Sequence, residues 1–340
     1  MGNLIEKIQK KSLENHIILT VMIELTYKCP CDCLHCYLDK EKKKELSTEE
    51  VFDLLEQLKD EGTINLSFTG GEPFLRNDFD QILLKARELH FNTGLLTTGI
   101  LLDETKVKFL EENKIESIDI SLHGSDAKTH DEIMQLPGAF DRTLNALKLL
   151  QKTKIKVVVK CVIMKNNYRQ LEEIKKLAES FGAVFVAQLF ILPRINGDNS
   201  PQRLMLSKDE ILGLPLMNLT GGALPNEDFS TGAIMACTAG DVAAAISPYG
   251  DVFPCLLFRY KMGNIREKSI KEIWHSSQDK FIDDFRNQKP QDVKPCFDCA
   301  LKSYCQRCPA TAFLETGDVN GVPVSCCHLA EIMKIRKQKK

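Results

Sequence analysis

The chain has 340 residues, 43% of them hydrophobic, with 45 basic and 47 acidic side chains. That length suits one large domain and a smaller one, and the balanced charge gives no electrostatic footprint for a nucleic-acid partner. No segment approaches the ~18 apolar residues of a membrane span, and the start at Met1 lacks the apolar core of a secretory signal. We therefore expect a cytoplasmic protein with no membrane partner.

Strand-like and helix-like segments alternate through the first part of the chain. Six strands are predicted, at Ile18–Leu25, Ile64–Phe68, Thr93–Thr98, Ser117–Leu122, Ile155–Ile163 and Ala183–Leu192. The helical patterns between them begin at the capping box from Ser47 to Glu50 and continue over Asp78–Leu89, Asp103–Glu112, Phe140–Gln151 and Tyr168–Phe181. Six successive strand-helix units predict a parallel sheet, either doubly wound or curved into a barrel. In both architectures ligands bind at the carboxyl ends of the strands.

Three cysteines follow the first predicted strand at C-x3-C-x2-C spacing: Cys29, Cys33 and Cys36. A cubane iron-sulfur cluster is usually held by four thiolates. Three thiolates on one short loop therefore leave one iron open to an exchangeable ligand, where chemistry can take place. A chain of this size without a secretion signal uses clustered thiols for metal more often than for disulfides.

The second predicted strand ends in the run Thr69-Gly-Gly-Glu-Pro73. Two glycines let the backbone approach a ligand closely, and Glu72 can accept hydrogen bonds from an ammonium group. Alone, this run is typical of a turn between a strand and a helix. Its position one strand after the cysteine loop makes it evidence for a ligand site.

The cysteine spacing and the Gly-Gly-Glu-Pro run together resemble the signature of the radical SAM superfamily. The resemblance implies an α/β fold, a partial (β/α)6 TIM-like barrel. It also implies that Cys29, Cys33 and Cys36 hold a [4Fe-4S] cluster whose open iron binds the amino and carboxylate groups of S-adenosylmethionine. One electron then splits this cofactor into methionine and a 5′-deoxyadenosyl radical, which removes a hydrogen atom from a substrate.

The same resemblance implies further cofactor contacts along the barrel rim. Gly70, Gly71 and Glu72 would hold the methionine amino group of the cofactor. The other candidates for cofactor binding are Thr98, Ser121 and Arg142. A hydroxyl at a strand end also caps turns, and an arginine on a helix is commonly solvated, so these roles have structural alternatives. For His123, the one candidate catalytic residue, a structural role and proton transfer are both open.

Eight of the thirteen cysteines lie between Cys237 and Cys327. Their arrangement resembles the SPASM domain, a C-terminal extension of radical SAM maturases that carries auxiliary iron-sulfur clusters. The resemblance implies an N-terminal extension at 1–16, a core barrel at 17–230 and a small cysteine-rich domain at 231–340. The nearer auxiliary cluster would bind Cys237, Cys255 and Cys308, and the farther one Cys296, Cys299, Cys305 and one of Cys326 and Cys327. The fourth ligand of the nearer cluster, which can be a non-cysteine residue, solvent or substrate, stays open.

Zinc is the structural alternative for this region, because two C-x2-C pairs can form a four-thiolate site that only stabilises a small domain. That interpretation leaves Cys237 and Cys255 unexplained, although cysteine spacing alone does not identify a metal. The sequence also departs from the family. Two residues separate Cys305 from Cys308 where many relatives have three. Leu256 follows Cys255 where sulfatase-maturing relatives carry an acid, which puts formylglycine formation in doubt.

SPASM enzymes mostly modify ribosomally made peptides, and a smaller branch trims tetrapyrrole side chains in haem or haem d1 synthesis. Only sixteen residues precede Ile17, too few for a winged-helix-like grip on a leader peptide. A peptide substrate would then need a separate recognition protein or the enzyme's own surface. The runs Leu25-Thr-Tyr-Lys-Cys29 and Leu34-His-Cys-Tyr37 resemble members of the tetrapyrrole branch.

Peptide maturation by a crosslink, a thioether or epimerisation is the favoured function, because it is common in the family. Tetrapyrrole tailoring is the alternative. A non-catalytic iron-sulfur electron carrier is the alternative from another class, and the Gly-Gly-Glu run argues against it. The implied electron donor is a low-potential protein such as flavodoxin or ferredoxin.

Overall fold

A computed structural model describes residues 11–39, 43–214, 237–276 and 279–338. The predicted boundary between the barrel and the C-terminal domain, at residues 230 and 231, lies outside these ranges, as does most of the predicted N-terminal extension. Within them, no helix is long and apolar enough to cross a membrane.

One sheet of nine strands organises the described residues, in the order β6-β5-β4-β3-β2-β1-β7-β8-β9. The strands are β1 (Thr20–Thr26), β2 (Asn65–Gly70), β3 (Asn92–Thr97), β4 (Ser117–Ser121), β5 (Lys156–Val162), β6 (Val184–Gln188), β7 (Ala243–Ile246), β8 (Asp251–Phe253) and β9 (Gly263–Asn264). Strands β1 to β6 pair in parallel in chain order, and β7 pairs in parallel with β1. The last two pairings, to β8 and β9, are antiparallel.

All six predicted strands are present, but β6 ends at Gln188 and not at Leu192. The ladder stops there because Val162, the last residue of β5, pairs with Gln188 and offers no further backbone partner. Ile191, beyond this point, is buried instead in a small cluster with Ile133 and Met164.

The helices are α1 (Thr48–Asp60), α2 (Phe79–Glu88), α3 (Glu104–Glu112), α4 (Ala127–Met134), α5 (Ala139–Leu150), α6 (Leu171–Ser180), α7 (Lys208–Gly213), α8 (Ile270–Trp274), α9 (Lys280–Arg286), α10 (Pro309–Thr316) and α11 (Val324–Gln338). The predicted capping box of α1 is present, because the Ser47 side chain accepts from the Glu50 N–H while Glu50 accepts from the Ser47 N–H. Helix α4 was not predicted from the sequence. Its buried face includes a histidine, His130, so its apolar pattern is weak.

The two faces of the parallel sheet differ in chemistry. Alternate strand residues, including Ile23, Phe68 and Ile120, enter one apolar core shared with the helices. The intervening residues, such as Glu24, Asp119 and Lys160, face the other side, where Lys160 pairs with Asp119 at 2.5 Å. A doubly wound sheet carries helices and apolar residues on both faces. This one-sided core is the arrangement of the partial (β/α)6 barrel.

Strand β7 brings the C-terminal part of the chain directly onto the barrel sheet. Behind its hairpin, a second core forms around the fully buried Phe258, whose ring contacts those of Phe281, Phe285 and Phe313. Cys255 and Cys308 pack at the edge of this aromatic cluster. Because β8 runs antiparallel to β7, Pro254 lies beside Gly240 and the chain enters Cys255 level with the amino end of β1, whereas the first cysteines follow the carboxyl end of β1.

Candidate active site

The loop after β2 packs directly against the loop that carries the first cysteines. The Gly71 N–H donates to the Thr26 carbonyl at 2.7 Å, and the Glu72 N–H donates to the Lys28 carbonyl at 2.8 Å. A Cβ atom on Gly70 would lie 2.2 Å from the Thr26 oxygen, and one on Gly71 would lie 2.2 Å from the Lys28 oxygen. The two glycines therefore allow a close approach to the chain's own backbone, and their approach to a ligand stays a prediction.

We expect Gly71→Ala to disturb the first cysteine loop (residues 27–38) without unfolding the protein. The added methyl group must move the Lys28 carbonyl, one residue before Cys29. Substitution of a residue that supports a metal ligand typically weakens metal binding roughly 10-fold or more. Iron retained against a chelator measures the effect. Gly213→Ala is the matched control, because a Cβ there meets nothing within 4 Å. Equal iron retention in both variants would contradict the expectation.

Glu72 is fully buried and its carboxylate is held by donors from β3 and its end. The Thr97 hydroxyl lies 2.8 and 2.9 Å from the two oxygens. Thr98 donates from its N–H at 2.9 Å and from its hydroxyl at 2.5 Å. Burial raises the pKa of Glu72, although these hydrogen bonds act in the opposite direction. The carboxylate thus ties the Gly-Gly-Glu loop (Gly70, Gly71 and Glu72) to the end of β3.

The first cysteine loop is also fixed from its other side, by the end of α4. The N–H groups of Asp32 and Leu34 donate to the carbonyls of Met134 and Ile133, at 3.2 and 3.0 Å. The Cys33 thiol lies 3.5 Å from the Met134 sulfur. Carbonyls in the last turn of a helix lack partners within that helix. The N–H groups of the loop supply these partners, and the same hydrogen bonds fix the position of the loop. Sequence reasoning missed this support because it missed the helix.

Cys31, which the family spacing leaves spare, lies between the predicted cluster ligands. Cys31 is buried in a small cluster against which Cys29 and Cys33 pack, and its thiol interacts with the thiols of both. The contact with Cys31, followed by burial, raises the pKa of the Cys29 thiol, and Glu72 is near enough to contribute. Glu72 and three thiols of the first cysteine loop therefore occupy one small region at the carboxyl ends of β1 and β2.

The remaining predicted cofactor residues are placed differently from one another. Thr98 is buried in the Glu72 network, and its carbonyl accepts from the Thr143 hydroxyl at 3.2 Å. Ser121 is half-buried and ends β4 on the polar face of the sheet. Arg142 is exposed on α5, with Nη2 3.5 Å from the Pro137 carbonyl. The structure brings Thr98 to the Gly-Gly-Glu loop, whereas cofactor binding by Ser121 and Arg142 stays a prediction.

The ring of His35, in the first cysteine loop, packs with those of His123 and His130. The ring of His123 lies 4.5 Å from that of His35 and 6.2 Å from that of His130. His123 Nδ1 accepts from the Val162 N–H at 3.3 Å, and the His123 N–H donates to His130 Nδ1 at 3.1 Å. Burial lowers the pKa of His123 well below its ordinary range and that of His35 and His130 to about 4. These bonds hold β4 against β5 and α4, and a part of His123 in proton transfer stays a prediction.

We expect the stability of the protein to fall as the pH drops from about 6.5 to about 4, partly because of His130. The ring stays neutral in the fully buried folded site, while the unfolded chain takes up a proton below its ordinary pKa. A shift of this size corresponds to about 3 kcal/mol. Thermal unfolding of His130→Asn, which retains an acceptor for the His123 N–H, should show a shallower decline. An unchanged decline would contradict this assignment.

The late cysteines form two groups. Burial is the main reason that the pKa of Cys255 is raised to about 12, and the neighbouring thiols of Cys237 and Cys308 contribute. Cys305 is the centre of the second group, and its pKa is raised to about 12 by burial first. The thiols that interact with it are those of Cys326, Cys327, Cys296 and Cys299. The SPASM resemblance implies a similar division, and the ligand sets themselves stay a prediction.

Cys326 and Cys327 have different neighbours, because adjacent residues on a helix project about 100° apart. Cys327 interacts with Cys296 and Cys299. Cys326 is buried and interacts with Cys308. Within the described ranges, no three side chains of His, Cys, Asp or Glu converge as they would around a single ion.

Family models match both parts of the chain. The model described as the radical SAM superfamily matches residues 23–178, and a SPASM model, described as an iron-sulfur cluster-binding domain, matches residues 237–300. The chain belongs to the radical SAM superfamily and carries a SPASM domain. This radical SAM/SPASM chain therefore belongs to a class of proteins that bind [4Fe-4S] clusters and S-adenosylmethionine.

Curated relatives of this radical SAM/SPASM chain carry enzyme names. It is 27% identical to the AdoMet-dependent heme synthase of Methanosarcina barkeri (strain Fusaro / DSM 804), over 87% of this chain and 92% of that protein. It is 25% identical to the PqqA peptide cyclase of Granulibacter bethesdensis (strain ATCC BAA-1260 / CGDNIH1), over 90% of this chain and 86% of that protein. The radical SAM/SPASM chain is accordingly an enzyme.

The fold agrees with that of a solved structure. Streptococcus suis SuiB bound to S-adenosylmethionine superposes with a TM-score of 0.67 at 21% identity, covering 96% of this chain and 83% of SuiB. The residues of the candidate site fit the cofactors that the family implies. The first cysteine loop presents several thiols together, and His35, between Cys33 and Cys36, keeps a buried Nδ1 without a hydrogen-bond partner among the described residues. A polar group bound at this loop would satisfy that nitrogen.

Glu24 and Arg259 are the main site residues that sequence reasoning missed. Arg259 donates to both carboxylate oxygens of Glu24, at 2.8 Å each. The available signal was an acid in the middle of the apolar run Val21-Met-Ile-Glu-Leu25, because a charged residue is rarely buried without a partner. The partner could not be named, since 234 intervening residues separate the two in the chain.

Proposed function

We propose that this enzyme reductively cleaves S-adenosylmethionine and uses the 5′-deoxyadenosyl radical to abstract hydrogen from a ribosomally made peptide. The observation that carries the proposal is the junction of the first cysteine loop with the Gly-Gly-Glu loop through the Lys28 carbonyl. A thiolate cluster site and a cofactor loop joined in this way support radical chemistry better than simple electron storage.

The bound cluster and cofactor supply a carbon-centred radical at the carboxyl ends of the barrel strands. In the proposed assignment, Cys29, Cys33 and Cys36 hold the catalytic cluster. Glu72 keeps the Gly-Gly-Glu loop in place to receive the methionine amino group. The direct contact between Glu72 and an ammonium, expected from the sequence, has little room, because the carboxylate is buried among threonine donors.

We assign two auxiliary clusters to the late cysteines, consistent with their two groups. The farther cluster would use Cys296, Cys299 and Cys305 with Cys327, which interacts with the first two thiols. The nearer one would use Cys237, Cys255 and Cys308. Cys326, which interacts with Cys308, lies beside this nearer set and is a candidate for its open position.

A peptide substrate is supported by the polar lining of the cavity beside the first cysteine loop. That lining includes Lys43, Asp39 and the hydroxyls of Ser247 and Tyr249. Its other two charged residues are already paired, Arg259 with Glu24 and Asp251 with Lys261. Main-chain amides need mixed donors and acceptors, as this lining offers, whereas a porphyrin with several propionates calls for a surplus of cations. The match to a PqqA peptide cyclase is in keeping with this choice.

Tetrapyrrole tailoring is the second candidate function, favoured by the heme synthase match at 27% identity. Formation of 5′-deoxyadenosine by reduced, reconstituted enzyme tests the shared chemistry. A pool of random peptides and an iron porphyrin with four propionates then test the substrate, with mass spectrometry of each. Loss of carbon dioxide from the porphyrin would replace the peptide proposal. Absence of 5′-deoxyadenosine in protein with intact clusters would overturn both.

A further inference from the structure

A buried ion pair joins the first cysteine loop to the C-terminal part of the chain. Glu24, on β1, is fully buried. Its carboxylate accepts two hydrogen bonds from Arg259, at 2.8 Å each, one from the Tyr27 hydroxyl at 2.9 Å and one from the Tyr37 hydroxyl at 2.8 Å. Four donors from three residues, in two segments of the chain, therefore meet at a single carboxylate.

The three partners of Glu24 flank cysteines of the two predicted cluster sites. Tyr27 precedes Cys29 by two residues, and Tyr37 directly follows Cys36. Arg259 lies four residues after Cys255. The Glu24 carboxylate thus connects both ends of the C-x3-C-x2-C motif to the segment that carries a thiol of the nearer auxiliary set.

The Arg259 side chain is held rigidly between these sites. Its guanidinium lies 5.5 Å from the centre of the Tyr37 ring and 5.0 Å from that of Phe253, which precedes Cys255 by two residues. The preceding residue, Phe258, is anchored in the aromatic cluster, and its N–H donates to the Cys255 sulfur at 3.3 Å. Movement of Arg259 would therefore move Cys255 as well.

The pair is poorly suited to a purely stabilising role. Removing two charges from water costs more than their attraction returns unless every polar atom is satisfied, and apolar residues of similar volume often do as well. Arg259 Nε is buried without a hydrogen-bond partner among the described residues. The bidentate contact instead fixes the direction and the distance of the Arg259 guanidinium relative to the Glu24 carboxylate, so the pair is suited to positioning one segment against the other.

We propose that the Glu24-Arg259 pair positions the Cys255 segment relative to the first cysteine loop, and so sets the separation of the catalytic cluster from the nearer auxiliary cluster. This inference rests on the proposed function, because it needs a cluster at each site. Both members are positioning residues, since they act through the flanking tyrosines and Phe258. Tyr27 and Tyr37 complete the contact from the side of the first cysteine loop.

The test compares Arg259→Met, Glu24→Gln and the double variant Glu24→Met/Arg259→Met. Breaking one side of the pair should lower the melting temperature by about 10 °C. The double variant should recover most of that loss, because it leaves no unpaired charge. Lys261→Met is the matched control, since Lys261 lies two residues along the same segment in a half-exposed pair with Asp251.

The decisive readout is the dipolar coupling between the two reduced clusters, measured by pulsed electron paramagnetic resonance after anaerobic reconstitution. A positioning role predicts a shifted or broadened distance distribution in the double variant despite its recovered stability, with Lys261→Met unchanged. A wild-type distribution in the stable double variant would overturn the proposal. Wild-type protein with one cluster would overturn it together with the auxiliary-cluster assignment. Two clusters without cleavage of S-adenosylmethionine would overturn only the proposed function.

Discussion

Alanine in place of Cys29, Cys33 or Cys36 should abolish formation of 5′-deoxyadenosine and remove about four irons per chain. Each substitution leaves only two of the three assigned ligands, too few to hold a cubane whose fourth iron must stay open. For the triple variant, about twelve irons in the wild type should fall to about eight, the content of two auxiliary cubanes. Iron, acid-labile sulfide and zinc per chain, measured after anaerobic reconstitution, check this expectation.

Cys31→Ala is the matched control, because Cys31 lies in the same loop and contacts both Cys29 and Cys33. The proposed assignment predicts wild-type iron content and cleavage for this variant. The ligand set would be misassigned if the Cys31→Ala variant lost four irons while alanine at Cys29, Cys33 or Cys36 left the iron content unchanged. Zinc with little iron in anaerobically prepared wild type would restore the structural alternative for the late cysteines.

Variants of the nearer auxiliary cysteines test whether cleavage of S-adenosylmethionine and formation of product depend on different clusters. Cys255→Ala and Cys308→Ala should still cleave S-adenosylmethionine, since neither thiol belongs to the first cysteine loop, but they should fail to form product. Product at the wild-type rate from either variant would contradict an auxiliary cluster that accepts the electron from the product radical.

The sequence was sufficient for features that depend on local pattern. The apolar runs predicted β1 to β6, and the spacing of Cys29, Cys33 and Cys36 predicted the family, which the family models confirm. Local pattern also located the cap at Ser47, where both bonds of the capping box are present. Each of these features is encoded within about ten neighbouring residues.

What the sequence could not supply depends on contacts between distant segments. The requirement for glycine at position 71 arises from the Lys28 carbonyl, and the burial of Glu24 depends on Arg259. Helix α4 escaped prediction because it buries His130, and its carbonyls position the first cysteine loop across a hundred residues of chain. A charged or histidine residue within an apolar pattern therefore marks a place where a distant partner must be sought.

The Glu72→Gln variant should bind S-adenosylmethionine roughly 10 to 100-fold more weakly while retaining its iron. The change preserves shape but replaces an oxygen acceptor by an NH2 donor. A backbone N–H donates to each carboxylate oxygen, from Phe74 to Oε1 at 3.3 Å and from Thr98 to Oε2 at 2.9 Å, so the NH2 of the amide faces a backbone donor in either orientation. An unsatisfied buried donor costs about 1 to 3 kcal/mol, and the Gly-Gly-Glu loop can escape this cost only by moving.

Thr97→Val separates displacement of the loop from a direct contact with the cofactor. It removes one donor to Glu72 and leaves the carboxylate charge unchanged, so a positioning role predicts weaker binding here too, by a smaller factor. The two substitutions should also be non-additive, because they act on one hydrogen-bond network. A direct ammonium contact predicts instead a large loss in Glu72→Gln and none in Thr97→Val. Calorimetric titration of the reconstituted variants with S-adenosylmethionine decides between the two, and wild-type affinity in both would show that the Glu72 network is dispensable for binding.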